Sequence, residues 1–420
     1  MRFALIIPAL NEEEAIVGTL RRALAAREKV VAETVVTEMS VVFVNDGSTD
    51  RTQAIVDQPE FSEVIKVRFA QNQGYGAAIK AGWRATDADL LGFIDSDGTC
   101  DPDYSVPLIR CLTRTGADVV LAGRMSPESK MPRIRRFGNV LFAKLLGAVS
   151  GKPLTDCASG FRVVRRSSLP LISPLPKGMH FTPAMSAICL LDPRLRIEEV
   201  PMPYEERIGR SKLSVLKDGL RFLYVILFTV CCYTPLRTML LVAGAFVGLV
   251  GLLVFLLSAL GLSTANPSLA LGGAIVAMLA VWTGVVCHQL NFLLIGPRQF
   301  IGPTERLLQT LTEYKLLILS GLGILATGLL GLAILPATRL ADSPGALMAM
   351  VFLMSLGATS TLVGVIVRVV WAVGEKLKAL VNREYQWSPA DPPSLGSTAT
   401  LEVAFSPALS HPTFEPNISR

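Results

Sequence analysis

Along the chain, the spacing of apolar residues changes character once. In the first 125 residues, short apolar runs alternate with stretches of helical spacing. Arg2–Ile7, Ser40–Val44, Val64–Phe69, Leu90–Ile94 and Asp118–Ala122 read as strands, and Ala77–Ala85 reads as a helix opened by the loop holding Asn72, Gly74 and Gly76. Asn11 is placed to cap a helix whose first turn is Glu12-Glu13-Glu14, where acidic side chains meet the positive helix end. Strands and helices alternating through short links predict a doubly wound, mostly parallel α/β sheet with its ligands at the carboxyl ends of the strands.

After residue 235 the alternation stops. No Asp, Glu, Lys or Arg occurs from Thr238 to Pro297, a run far longer than the ~20 residues that cross a bilayer once. Four apolar segments, 238–262, 269–295, 316–336 and 345–367, are each long enough to span, with Asn266-Pro267 as a turn between the first two. Lys212, Lys217, Arg221 and Arg237 precede the first segment, Arg298, Arg306 and Lys315 lie in the 296–315 connection, and Lys376, Lys378 and Arg383 follow the last. The excess of basic residues in cytoplasmic loops then predicts that both termini and the 296–315 loop are cytoplasmic. Residues 213–233 combine helical apolar spacing with a basic face, as in a helix resting on a membrane surface. The proline-rich stretch 388–420 reads as a disordered tail. The predicted organisation is a cytosolic domain over 1–212, an interfacial region over 213–235, four spans within 236–375 and a cytosolic tail over 376–420.

Composition agrees with this division. Mean hydropathy over the 420 residues is +0.47 and only 18% are charged, against roughly a quarter in soluble domains. A purely soluble, disordered or collagen-like chain is excluded. The net charge of +6 suits an anionic membrane surface better than nucleic acid, given the apolar half. Seven cysteines without a CxxC pair, and three histidines far apart, suggest neither a zinc site nor a disulfide framework. The apolar run Phe3–Leu10 meets Glu12-Glu13-Glu14, unlike a secretory signal.

The polar residues at the strand ends carry the chemistry. Pro8, Asn11 and Glu12, then Asp46, then Asp95 and Asp97 each follow a predicted strand and converge on one sheet edge. Asp95 and Asp97, two apart, point the same way from extended backbone. Paired carboxylates repel unless a cation neutralises them, and hard oxygen ligands suit Mg²⁺ or Mn²⁺ with positions open for phosphate oxygens. A second, basic group contains Arg124, Arg133, Arg135, Arg136, Arg207, Arg210 and Lys212, the last three around Gly209 and Ser211. Arginine clusters favour phosphate.

The blocks IIPALNEE (6–13), VNDGSTD (44–50), NQGYGAAI (72–79), FIDSDGTCDP (93–102), AGR (122–124), TDCASGFRVVRR (155–166) and EEVPMPYEERIGRSKLSV (198–215) together resemble the family 2 glycosyltransferases of GT-A fold. The resemblance is to their polyprenyl-phosphate branch, which includes dolichyl-phosphate mannose synthases and undecaprenyl-phosphate glycosyltransferases. It implies an α/β GT-A catalytic domain, Rossmann-like with a mostly parallel sheet, followed by a C-terminal α-helical transmembrane domain of four helices. The Q-x-x-R-W block of processive polysaccharide synthases is absent.

Carried over residue by residue, the resemblance implies nucleotide and donor binding by Pro8, Leu10, Asn11, Glu12, Asp46, Gly74, Lys80, Asp95, Ser96, Arg124 and Arg207. It implies a Mg²⁺ or Mn²⁺ ion on Asp95 and Asp97, and acceptor-phosphate binding by Arg135, Ser159, Ser211 and Lys212. Asp156 falls at the position proposed in relatives to act on the attacking phosphate, as orienting group or base, and counts with Asp97 as catalytic. The implied reaction is inverting transfer of a sugar from a GDP- or UDP-linked donor to a polyprenyl phosphate at the cytoplasmic membrane face. Transfer to another lipid hydroxyl, or a non-catalytic scaffold or flippase component, are the alternatives. Many relatives continue as D-x-D-L-Q, whereas Gly98-Thr99 follow here, which leaves the third metal ligand open. Relatives often carry an acidic residue where this chain has Phe181-Thr182-Pro183-Ala184-Met185, so the sugar stays open too.

Overall fold

A computed structural model describes residues 1–209, 214–259, 267–295, 310–334, 344–384 and 401–402. Its first part runs β1 (Arg2–Ala9), α1 (Ile16–Glu33), β2 (Glu38–Asn45), α2 (Thr52–Val56), β3 (Ile65–Arg68), α3 (Tyr75–Arg84), β4 (Leu90–Phe93), α4 (Ser105–Thr115), β5 (Val119–Gly123), α5 (Arg133–Ser150), β6 (Arg162–Arg165), α6 (Leu169–Ile172), α7 (Phe181–Leu191) and β7 (Ile197–Pro201). The five strands expected from the sequence are β1 to β5.

The sheet order is β7-β5-β6-β4-β1-β2-β3, with β8 (Leu401–Glu402) pairing parallel to β3 at the edge. The pairs β4–β1, β1–β2, β2–β3 and β5–β7 are parallel. β6 inserts antiparallel between β4 and β5, which the sequence reading did not anticipate. It is four residues long with an arginine at each end, and it is entered from a loop instead of a crossover helix. Its interior-facing arginine bonds locally: Nε and Nη2 of buried Arg162 donate to the carbonyls of Ser159 and Cys157.

Both faces of the sheet are covered, so β1 reads as an unbroken apolar run instead of an alternating one. Phe3, Leu5 and Ile7 pack with Ile16, Leu20, Ala23 and Val30 of α1 in one core, each large side chain contributing about 1.5–3 kcal/mol by leaving water. On the opposite face Gly82 of α3 lies directly over Ile6 and Val44, where a Cβ would collide with them. Pro8 sits in a central strand without breaking the ladder. Ile6 turns its polar groups toward β4 and accepts the Ile94 N–H; Pro8 faces the same way, beyond the last β1–β4 pair at Ile6–Phe93. The two strands part there, which opens the carboxyl edge.

The helix after β1 differs from expectation. It begins at Ile16, and no acidic residue lies in its first turn. Asn11 does not cap it: the residue has φ +51 and its side chain reaches instead to the loop after β2. The Glu12 carbonyl accepts from the N–H groups of Ala15 and Ile16, which starts the helix and leaves the Glu12 carboxyl facing the sheet edge.

The second part comprises α8 (Val215–Tyr233), α9 (Pro235–Ala259), α10 (Pro267–Ile295), α11 (Tyr314–Ile334) and α12 (Pro344–Glu384). Four spans within α9 to α12, Pro235–Leu253, Gly272–Asn291, Tyr314–Ile334 and Ala346–Val373, are long and apolar enough to cross a membrane. The last helix runs on to Glu384, beyond the expected end at 367. Small residues bring α11 and α12 together: the backbone of Gly357 lies against Leu325, and Gly321 against Thr361. Polar clasps tie the bundle, with Trp282 donating to Thr359, Trp371 to Gln289, and Gln289 to Thr312.

The described residues divide into two compact units, one formed by those of 1–190, 195–225 and 401–402 and the other by those of 191–194 and 226–384, so that the boundary falls inside α8.

Candidate active site

The carboxyl edge of the sheet gathers most of the residues singled out by the sequence. Asn11, after β1, accepts from the Thr49 N–H at 2.7 Å, while its own N–H donates to the Ser48 hydroxyl at 2.9 Å. This stitches the loops after β1 and β2 together beside Leu10. Asp46, after β2, accepts from the N–H groups of Gln73 and Gly74 at 2.7 and 3.0 Å. Burial raises its pKa against the opposing effect of those two bonds. Gly74 has φ +102, and a Cβ there would meet the Lys177 carbonyl, so only glycine lets its N–H reach Asp46.

The next residue, Tyr75, starts α3 and sends its hydroxyl to Asp95 Oδ1 at 2.7 Å. The start of α3 thereby joins Asp46 to the Asp95–Asp97 pair. Burial, and then the neighbouring charge of Asp97, push the Asp95 pKa up to about 6. Gly160 lies so close to the other Asp95 oxygen that a Cβ would overlap it. Ser96 is buried, and its carbonyl accepts from Thr19 of α1 at 3.0 Å. Asp97 Oδ1 accepts from both the N–H and the hydroxyl of Thr99, at 3.1 and 2.6 Å. Thr99 therefore orients Asp97.

Arg207 completes the acidic side of the site. Its Nη1 meets Asp97 Oδ2 at 2.6 Å and its Nη2 meets Glu12 Oε1 at 2.8 Å. On the other side, Arg124 after β5 grips Asp156 in a two-pronged pair, Nε to Oδ2 at 2.7 Å and Nη2 to Oδ1 at 3.0 Å. Asp156 is fully buried and also accepts from the Arg124 N–H, Asn139 Nδ2 and the Ala158 N–H. Burial alone would raise its pKa, but the charge and hydrogen bonds of Arg124, with Asn139, outweigh it and the net shift is downward. The Arg124 guanidinium lies 5.7 Å from the centre of the Tyr204 ring. Burial, and then the charge of Asp97, raise the pKa of the Tyr204 phenol; Arg135 lies in the first turn of α5.

Two expectations change. Ser159 is buried with its hydroxyl donating to the Ala122 carbonyl at 2.6 Å, so its proton is used inside the fold and it presents nothing to a phosphate. Lys80 lies on α3 with Nζ on the Leu175 carbonyl at 2.9 Å, where it ties the 173–178 segment down and is not gathered with the donor residues. Phe181, Thr182, Ala184 and Met185 are buried, and Phe181 stacks among Tyr75, Trp83 and Phe93; their side chains support the site from beneath. Ser211 and Lys212 lie outside the described residues.

The donor set suits a hard divalent cation in part. Asp95 and Asp97 bring two carboxylates together, and burial, then the Asp97 charge, raise the Asp95 pKa. Among the described residues, no three His, Cys, Asp or Glu side chains form a complete cage. Asp95 and Asp97 are thus the residues that would hold Mg²⁺ or Mn²⁺, with phosphate oxygens and water filling the other positions.

Comparison with known proteins identifies the arrangement. Residues 4–171 match the model for glycosyl transferase family 2. The chain is 32% identical over 225 residues to the dolichyl-phosphate hexose transferase of Haloferax volcanii, covering 51% of this chain and 88% of that protein. The chain belongs to glycosyl transferase family 2. Distant structural neighbours include glucosyl-3-phosphoglycerate synthase from Mycobacterium tuberculosis. Its complex with Mn²⁺, UDP and phosphoglyceric acid is 22% identical, at TM-score 0.40, over 54% of this chain and 78% of that one. Its complex with Mn²⁺ and UDP-glucose is 24% identical, at TM-score 0.41, over 55% and 78%. The glycosyltransferase thus has a GT-A sheet followed by four helices apolar enough to span a membrane.

The site contains supporting residues that the sequence reading left unassigned: Tyr75 for Asp95, Thr99 for Asp97 and Asn139 for Asp156. Tyr75 and Thr99 stood inside quoted blocks. Asn139 lay outside them, and its only signal was a polar residue on the inner side of an otherwise amphipathic helix.

Proposed function

We propose that this glycosyltransferase moves a sugar from a nucleoside-diphosphate sugar to a polyprenyl phosphate, in a divalent-metal-dependent reaction at the cytoplasmic membrane face. The observation that carries the reading is the joining of Glu12, Asp95, Asp97, Arg124 and Arg207 at one sheet edge in a chain with four apolar spans. The name of the Haloferax relative supports the acceptor class. So do the outward apolar side chains of α5, where Ile134, Phe137 and Leu141 are exposed beside Arg133. Leu220, Tyr224, Leu227 and Phe228 of α8 are exposed likewise. Such faces suit a bilayer surface, where an acceptor's phosphate stands at headgroup level. The distribution of Lys and Arg around the spans supports the cytoplasmic side.

The residues divide the work. Asp46, Asn11 and Gly74 shape the nucleoside end of the donor site. Arg207, Arg124 and Arg135 supply positive charge for phosphates; the family resemblance assigns Ser211 and Lys212 to the acceptor phosphate as well. A bound Mg²⁺ or Mn²⁺ supplies Lewis-acid stabilisation of the departing diphosphate. The acceptor phosphate needs little base, because its second pKa of about 6 leaves it mostly dianionic near neutral pH. Asp156 suits that chemistry: its oxygens are filled by Arg124, Asn139 and Ala158, and its lowered pKa makes it a poor proton acceptor. It therefore holds Arg124 in place. A lipid hydroxyl acceptor would demand a free base, and Asp156 does not offer one. Attack opposite the leaving diphosphate inverts the anomeric centre.

Membranes containing the protein, given labelled nucleotide sugars and polyprenyl phosphate, should yield label that enters organic solvent and is released by mild acid. Chelation of divalent ions, or Asp97→Asn, should reduce that yield more than about a hundredfold, the several kcal/mol a catalytic ion supplies. An acid-stable labelled lipid, or yield indifferent to polyprenyl phosphate, overturns the acceptor; full activity of Asp97→Asn overturns the metal site.

A further inference from the structure

Asp97 has two oxygens, and both are engaged. Oδ1 accepts twice from Thr99, while Oδ2 takes Nη1 of Arg207 at 2.6 Å. Oδ2 is thus the oxygen left for a metal ion, and a guanidinium stands on it. The other arm of Arg207 reaches Glu12 from a different strand end. The three side chains are largely withdrawn from water, at 8% exposure for Asp97, 9% for Glu12 and 20% for Arg207. A cation bound at about 2.0–2.1 Å to that oxygen would stand beside the guanidinium, and the two positive charges repel at such range.

The Arg207 grip is also an incomplete one. Each nitrogen of the fork meets a different carboxylate, and its Nε is buried with no hydrogen-bond partner. Arg124 by contrast places both prongs on one carboxylate. Arg207 lies on a segment clipped to the same loop by two backbone bonds, Ile208 N–H to the Asp97 carbonyl and Glu205 N–H to the Thr99 carbonyl.

We infer that Arg207 is the resident counter-cation of the Asp95–Asp97 site, displaced when a divalent ion binds and thereby released to meet phosphate. Metal loading and assembly of the phosphate-binding arginine then become one event, and the metal-free site is held closed against phosphate. The inference rests on the metal-dependent reading above, but concerns which positive group holds Asp97 when no metal does.

The test is Mn²⁺ binding to the full chain in nanodiscs without nucleotide, read as free Mn²⁺ by electron paramagnetic resonance. Arg207→Gln should bind Mn²⁺ at least about tenfold more tightly than the parent, because the competent state is no longer masked. Arg207→Lys, which keeps the charge but loses the fork, should fall between them. Equal or weaker binding by Arg207→Gln overturns the inference and leaves the metal site standing. No Mn²⁺ binding by either protein overturns both. Should Arg207→Gln lose its fold, the parent serves alone: Mn²⁺ should speed hydrogen exchange at the Ile208 and Glu205 amides, and unchanged or slower exchange overturns the displacement.

Discussion

Two arginines face two sets of carboxylates across the site, and they are built differently. Arg124 and Asp156 form a closed unit: a bidentate pair, fully buried on the acid side, with Asn139 and two backbone N–H groups filling the remaining acceptor positions. Arg207 instead bridges Glu12 and Asp97, one nitrogen to each. A pair whose every lone pair is used internally is a fixed part of the scaffold, since breaking it strands a buried charge. A pair assembled from residues that also face ligands can be exchanged for a better cation. The same residue types therefore make a strut in one place and an occupant in the other.

The sharpest way to break this comparison is Asp156→Asn. It leaves the Arg124 charge buried without its partner and should cost the catalytic unit about 3–5 kcal/mol, measured by denaturant unfolding. Asp156 has a folded-state pKa below its unfolded value. Its stabilisation is therefore present above the unfolded pKa of about 3.9 and is lost as pH falls through the folded one; the acid-side decline should flatten in the variant. A loss as small as that of an exposed ion pair would show that Arg124–Asp156 is no strut.

Asn139→Ala should have a smaller effect. It removes one donor from a carboxylate that keeps four, at a cost of about 1–3 kcal/mol, and transfer should fall with the acceptor more affected than the donor. Kinetics identical to the parent would disconnect α5 from the site.

The smallest effect has the opposite sign. Asp95 has a folded pKa raised to about 6, so the fold is penalised by its charge. That penalty is absent below the unfolded pKa of about 3.9 and complete once pH rises above the folded value. With divalent ions chelated, Asp95→Asn should therefore be more stable than the parent at pH 7, on the order of 1–2 kcal/mol, with the gain vanishing near pH 4. The variant should also lose donor use. Equal stability at both pH values would show that burial and the Asp97 charge do not penalise ionised Asp95.

Much of this was legible in the chain. The strand ends, the Asp95–Asp97 spacing and the four apolar segments follow from periodicity and composition, which report local geometry and solvent. Other features depended on partners far away in sequence. Asn11 looked like a helix cap because it precedes three glutamates, yet tertiary bonds to residues 48–50 hold it in a left-handed conformation. The resemblance assigned Ser159 to the acceptor phosphate and Lys80 to the donor; burial and the carbonyls of Ala122 and Leu175 decided otherwise. The short strand β6 had no local signature, since its pairing comes wholly from neighbours on either side.

By itself, then, the sequence determined that a strand-and-helix domain with an acidic strand-end cluster is joined to apolar helices, because hydrophobic spacing and charge-free length are properties of consecutive residues. Only the tertiary structure decided which arginine meets which carboxylate. Asp97 and Arg207 stand 110 residues apart in the chain, and whether a charge is a strut or an exchangeable occupant depends on how many donors surround its partner. That number is set by packing across the sheet edge.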